Sequence, residues 1–125
     1  RKRVGGDVPL MVFARGAGYA NEHLAKLNTY DVITIDGSAD RATIRDTLPQ
    51  ITLQGNYDPK ELIPDEGGTP DSVRESAIAM LKELKCERLI ANLGEGLGGR
   101  ESPELVKVFV DCVHEESEKM LAERG

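Results

Sequence analysis

The sequence predicts an α/β fold built on a parallel sheet, and three observations carry that reading. Four short apolar runs have strand character, each is followed by a segment with helical spacing, and sharp capping signals open the last two helices. The runs are nearly continuous rather than alternating, as expected of strands in a parallel sheet covered by helices.

The first strand is expected over residues 8–14, led by Pro9, and is followed by Gly16-Ala17-Gly18 and a short helix burying Ala20, Leu24 and Leu27. The second covers 32–36, with Ser38 as N-cap of a helix that carries Ile44 and Leu48. The third covers 51–55 and ends in Asn56-Tyr57-Asp58-Pro59; the fourth covers 89–93 and ends in Gly94-Glu95-Gly96. Thr69-Pro70-Asp71 and Ser102-Pro103-Glu104 each supply an N-cap, a proline at the first helical position and an acid in the positive first turn. From Thr69, residues Val73, Ala77, Met80, Leu81 and Leu84 fall on one face; from Ser102, residues Val106, Phe109, Val110, Val113 and Leu121 do the same. Each face is expected to pack on a sheet. The 65–68 stretch reads as a plain loop, so residues 1–125 form one domain. Four strand–helix units are half the number that closes a barrel, which leaves two architectures: a small open sheet or half a barrel. A start at Arg1 with no apolar run before Val8 reads as a piece of something longer.

A formal charge of −6 opposes global attraction to nucleic acid or anionic lipid, so an anionic ligand requires a local site. No apolar stretch approaches the roughly 18 residues of a membrane span. The two cysteines, Cys86 and Cys112, lie in helical contexts without CxxC or Cys/His spacing; they are expected as free thiols, and no metal site is expected.

In parallel α/β folds, chemistry gathers at the carboxyl ends of the strands. The candidates there are Arg15, Asp36, the 54–58 segment with Asn56 and Asp58, and the 92–96 segment with Asn92 and Glu95. Arg15 is placed to fork onto a carboxylate, or is a solvated loop residue. Asp36 is a base, a ligand or, the favoured reading, the acceptor that closes a turn with Gly37-Ser38. Glu95, between two glycines, is an acid or base candidate or is simply solvated. The glycine-rich 94–99 loop lacks a GxxxxGK[ST] pattern and has acids nearby, which argues against a phosphate cradle. His23 and His114 flank apolar helix faces, where solvated rings are the default. Pattern alone reaches an α/β fragment with a polar rim.

The strings PLMVFARG (9–16), ITLQGNYDP (51–59) and IANLGEG (90–96), with the tail FVDCVHE (109–115), resemble the C-terminal portion of the uroporphyrinogen decarboxylase family, in order and evenly spaced. The resemblance implies half of a (β/α)8 TIM-type barrel, strands five to eight with their helices. It implies a lyase of porphyrin and heme biosynthesis that converts uroporphyrinogen III to coproporphyrinogen III by turning four acetate side chains into methyls. It implies no metal or organic cofactor, a cytoplasmic or plastid location, and a homodimeric full-length protein. The family's carboxylate that stabilises the cationic pyrrole, and its substrate-holding arginines, belong to the N-terminal half of the barrel, so catalytic residues are not assigned here and the fragment alone is expected to be inactive. Glu95 stands at the position of a family His close to substrate, and Gly37 where the family often has Trp. Glu95 therefore leads the expected substrate-binding residues, with Arg15, Asn56, Asp58 and Asn92. The alternative is a divergent, non-catalytic barrel that binds a tetrapyrrole or other ligand. A corrinoid-linked methyltransferase of the same superfamily, which holds zinc through His/Cys/Cys, fits poorly with cysteines away from strand ends.

Overall fold

The structure, a computed structural model, describes residues 7–14 and 17–124. Its elements alternate as the apolar runs predict: β1 (Met11–Phe13), α1 (Asn21–Lys26), β2 (Val32–Thr34), α2 (Arg41–Thr47), β3 (Thr52–Tyr57), α3 (Pro70–Glu83), β4 (Leu89–Leu93) and α4 (Pro103–Glu123). Short 3-10 turns precede α1 and fill the connection from β3 to α3.

The four strands form one parallel sheet in the order β1-β2-β3-β4. That order narrows the two architectures left by the sequence. In a doubly wound sheet the strand order reverses and helices cover both faces; with right-handed crossovers that always step the same way, every helix lands on one face, as in a barrel wall. The packing agrees. Ile33, Ile35, Leu53 and Tyr57 from the sheet share a single buried cluster with Val73, Ala77, Met80 and Leu81 of α3 and Leu105, Phe109 and Cys112 of α4, while Leu24 of α1 and Ile44 of α2 pack against its margin. The opposite sheet face is bare: Met11, Phe13 and Ile90 are 50%, 43% and 42% exposed. On that face Thr34 donates its hydroxyl to Gln54 Oε1 at 2.7 Å, across paired positions.

Local signals decide the helix starts. Thr69 accepts from the Ser72 amide at 3.1 Å while the Ser72 hydroxyl accepts from the Thr69 amide at 2.9 Å, a reciprocal cap. Ser102 caps α4 by accepting from the Leu105 amide. The cap of α2 corrects the expectation: Asp40, not Ser38, accepts from the Thr43 amide at 3.1 Å. Both residue types suit the role, and the tight turn after β2 places Ser38 too early. The expected first strand shortens at both ends, and Leu27, beyond the end of α1, is exposed. In α4 the buried stripe runs through Leu105, Phe109 and Cys112 rather than Val110 and Leu121, which are exposed. The reason is that α4 leans on α3 as well as on the sheet, which rotates its inward face. Cys86 also departs from expectation: it lies in the α3–β4 connection, not in a helix.

Two buried polar groups brace the layers. Arg45, only 1% exposed, sends its guanidinium under the sheet: Nη1 donates to the Glu87 carbonyl at 2.6 Å and the Arg88 carbonyl at 3.3 Å, and Nη2 donates to those of Leu48 and Ile51 at 2.6 and 2.7 Å. This ties the loops that enter β3 and β4, although burial lowers the pKa of the group and its Nε–H has no partner. Tyr57, fully buried, stacks tilted on Phe109 with centroids 4.3 Å apart and shares a 2.7 Å hydrogen bond with Ser76. Burial pushes its hydroxyl up to about 12 from 10.0.

Arg45→Met is expected to cost about 2–4 kcal/mol in denaturant unfolding, because it strands main-chain carbonyls away from water. Tyr57 predicts the alkaline limb of stability. The folded chain keeps this proton until about 12 while an unfolded tyrosine releases it near 10, so stability present below pH 10 falls between the two values, at a slope of at most about 1.4 kcal/mol per pH unit. Tyr57→Phe is expected to flatten that decline when urea midpoints are compared at pH 9 and 11; equal slopes in the two proteins would refute the assignment.

Candidate functional site

The carboxyl ends of β2, β3 and β4 converge. The hydrogen bonding of β2 continues past its end, with the Ile35 amide donating to the Gln54 carbonyl at 2.8 Å. Here β3 has a glycine at a position only glycine fills: Gly55 has φ of +132°, and a Cβ on it would sit 2.6 Å from the Ile35 carbonyl oxygen. The next peptide, Gly55–Asn56, is cis. Asn56 is 3% exposed, with its amide fully used: Oδ1 accepts from Arg41 Nε at 2.7 Å, and Nδ2 donates to the carbonyls of Asp36 at 2.7 Å and Ala39 at 3.3 Å. It thus holds the β2–α2 turn against the top of β3. On the other side, the Gly94 amide donates to the Tyr57 carbonyl at 2.8 Å, and a Cβ on Gly94 would lie 3.1 Å from the Gly37 nitrogen and 3.4 Å from the Asn56 carbonyl oxygen. The exits of β2 and β4, strands that are not neighbours, therefore touch above β3.

This convergence bounds a cleft of about 390 Å³ lined by Asp36, Gly37, Ser38, Asp58, Pro59, Lys60, Gly94 and Glu95. Asp36 shapes one wall as the sequence favoured: its Oδ1 accepts from the Ser38 amide at 3.1 Å and hydroxyl at 2.6 Å. Asp58 caps the 3-10 turn at Pro59, accepting from the Lys60 amide at 2.9 Å. Glu95 is exposed at the mouth. Three carboxylates and the Lys60 ammonium thus share one concavity, a setting that orders cationic or hydrogen-bond-donating groups and demands a paired approach from an anionic one.

Of the residues singled out in the sequence, the structure brings Asp36, Asp58 and Glu95 together, with Asn56 directly beneath. Asn92 pairs with Asn56 across the β3–β4 register and is exposed, its Oδ1 accepting from the Leu93 amide at 2.8 Å. Arg15 lies outside the described residues. The 94–99 loop supplies its own anion: Glu101 accepts from the amides of Gly98 at 2.7 Å and Gly99 at 3.0 Å, and these backbone donors hold its carboxyl below the usual range. His23 and His114 are exposed. Among the described residues, no group of three or more His, Cys, Asp or Glu could hold a metal ion. No described helix is long and apolar enough to cross a membrane. Sequence reasoning missed Arg41 and Lys60, since neither the start of a helix nor a 3-10 turn has a periodicity that marks a side chain as turned toward a site.

Comparison with known proteins completes the picture. Residues 1–116 match the family described as uroporphyrinogen decarboxylase (URO-D). Over 115 residues the chain is 43% identical to the uroporphyrinogen decarboxylase of Salinibacter ruber, covering 91% of this chain and 31% of that protein. The enzyme of that name from Danio rerio is 37% identical over 116 residues, covering 92% and 30%, and that from Dictyostelium discoideum is 34% identical over 122 residues, covering 96% and 32%. The chain spans about a third of the length of the curated relatives it matches.

The two glycines at the touching exits separate by their surroundings. Gly94→Ala is expected to lower stability by about 1–2 kcal/mol, because its Cβ must displace backbone. Gly37→Ala, whose Cβ would meet nothing within 4 Å, is expected to stay within about 0.5 kcal/mol. Thermal unfolding of both variants checks the contrast.

Proposed function

The chain belongs to the uroporphyrinogen decarboxylase family, and on that premise we propose that it supplies strands five to eight, with their helices, of a (β/α)8 barrel that decarboxylates the four acetate side chains of uroporphyrinogen III to give coproporphyrinogen III. The observation that carries this reading is the one-way strand order with all helices on one face, which leaves the other face and both outer edges for the rest of a barrel wall. The N-terminal half would be the partner of that bare face. The full-length protein would be a homodimer in the cytoplasm or a plastid, and its reaction would need no metal or organic cofactor.

In this reading the cleft above β2, β3 and β4 is one lip of the substrate site. Decarboxylation of an acetate on a pyrrole requires a proton delivered to the ring carbon, a cationic ring stabilised while the bond to CO2 breaks, a proton added to the resulting exocyclic methylene to complete the methyl, and loss of the first proton from the ring carbon to restore the pyrrole. The carboxylate that faces the cationic ring and the arginines that hold substrate carboxylates would come from the other half of the barrel. This chain would contribute contacts at the far wall. Glu95, Asp58 and Arg15 at the strand exits would face the substrate, Asn92 would line the barrel interior below them, and Asn56 would act through the turn it holds. The Asp36 and Asp58 carboxylates would accept hydrogen bonds from pyrrole N–H groups or exclude misplaced substrate carboxylates by repulsion.

Glu95 supports a second reading, a barrel that binds a tetrapyrrole without turning it over. An anion at the mouth opposes a ligand rich in carboxylates, and removing it is worth about 1–2 kcal/mol at the edge of a protein. The test uses full-length protein incubated with uroporphyrinogen III, with chromatography of the products. Wild-type protein is expected to form coproporphyrinogen III, and Glu95→His to lower KM by about tenfold. Turnover with Glu95 in place rules out the binding-only reading. Tetrapyrrole binding without product in both proteins would establish it and overturn the enzymatic one.

A further inference from the structure

The proposed lip depends on a residue outside it. Arg41, at the first position of α2, is four-fifths buried and points back toward β3. Its Nε donates to Asn56 Oδ1 at 2.7 Å and its Nη1 to Glu83 Oε1 of α3 at 3.0 Å. An asparagine amide has two ends of similar shape and opposite hydrogen-bonding character, so its orientation is set by its neighbours. The neighbours of Nδ2 are two carbonyl oxygens, those of Asp36 and Ala39. If the amide flipped, an oxygen would face both carbonyls and the turn would be pushed away. A guanidinium has donors and no acceptor, so Arg41 Nε admits only the oxygen end of Asn56. The Glu83 carboxylate on the far side of the guanidinium fixes its rotamer.

We propose that Arg41 is a positioning residue for the candidate active site: by locking the orientation of the Asn56 amide it holds the turn containing Asp36, Gly37 and Ser38 over the end of β3, and with it the wall of the cleft. Arg41 does not line that cleft and touches no ligand. Its effect is on where Asp36 and Ser38 stand, and thus on substrate fit rather than on proton transfer. The effect on substrate rests on the decarboxylase reading; the effect on the turn does not.

The experiment separates the two. In the full-length protein, Arg41→Lys keeps a cation but loses the planar fork, and Asn56→Asp keeps the acceptor for Arg41 but loses the donor to the turn. Both are expected to raise amide exchange of the peptide covering residues 36–41 by roughly tenfold, the worth of one buried hydrogen bond, with exchange of the β3 core peptide unchanged. With uroporphyrinogen III as substrate, Arg41→Lys is expected to raise KM by roughly threefold to tenfold while kcat stays within about twofold. Lys107→Gln, which breaks an exposed ion pair with Asp111 on α4 and leaves the Arg41–Asn56 bond in place, is expected to match wild type in both measurements. Unchanged exchange over 36–41 in Arg41→Lys would overturn the proposal, as would a loss confined to kcat. If the substitutions prevent folding, wild-type protein still decides: the Asn56 side-chain amide protons are expected to exchange slowly, and fast exchange refutes the lock. Absence of decarboxylation in wild type, with the exchange pattern as expected, would remove the decarboxylase reading and leave the positioning role standing.

Discussion

Contact between the exits of β2 and β4, across the end of β3, is the constraint from which the site follows. Two strands separated by a third meet only if the sheet is strongly coiled and the intervening side chains are removed or turned aside. Gly55 lets β3 press against Ile35, and Gly94 lets the last loop press against Gly37. Asn56 then converts proximity into attachment, with an amide that bonds the turn on one side while its main chain supports the loop on the other. The one-sided helix layer supplies the burial that sustains this contact.

Polar bracing is divided between the two ends of the sheet. At the carboxyl ends, Arg41, Asn56 and Glu83 link α2, β3 and α3 through side chains that specify one arrangement. At the amino ends, Arg45 links loops through their carbonyls. Between the ends lies an apolar layer dominated by Leu53, Tyr57, Met80 and Phe109. Charge and hydrogen bonding thus fix the two rims, while burial of apolar surface holds the middle.

Much of this was legible in the sequence, and the parts that were not share a physical cause. Strands β2 to β4 announce themselves by short runs that carry Val32-Ile33, Leu53 and Leu89-Ile90 and end in polar or glycine-rich exits, and α3 and α4 because proline and a hydroxyl residue mark a helix start unambiguously. Asp36 read correctly as a turn former, since the Asp-Gly-Ser order has a local mechanism. Where two local solutions compete, tertiary context chose: Ser38 and Asp40 can each cap a helix, and only the path of the turn after β2 decides between them. The buried face of α4 depended on its contact with α3, which a single helix wheel cannot contain. Arginine is ordinarily a surface residue, so nothing local reveals that Arg41 and Arg45 turn inward. Of the strand-end residues, Asp36, Asp58 and Glu95 line the cleft, and Asn56 lies beneath it, bonded to the turn.

The clamp at Arg45 has a consequence for how this sheet tolerates change. Its partners at Leu48, Ile51, Glu87 and Arg88 are main-chain oxygens, so the identities of those four side chains are irrelevant to the bonds they make. A salt bridge fails when either partner drifts, whereas this fastening fails only through the arginine itself. Exposed Glu87 and Arg88 can therefore vary while the strand spacing above stays constant, whereas Leu48 and Ile51 remain constrained by their packing in and against the core.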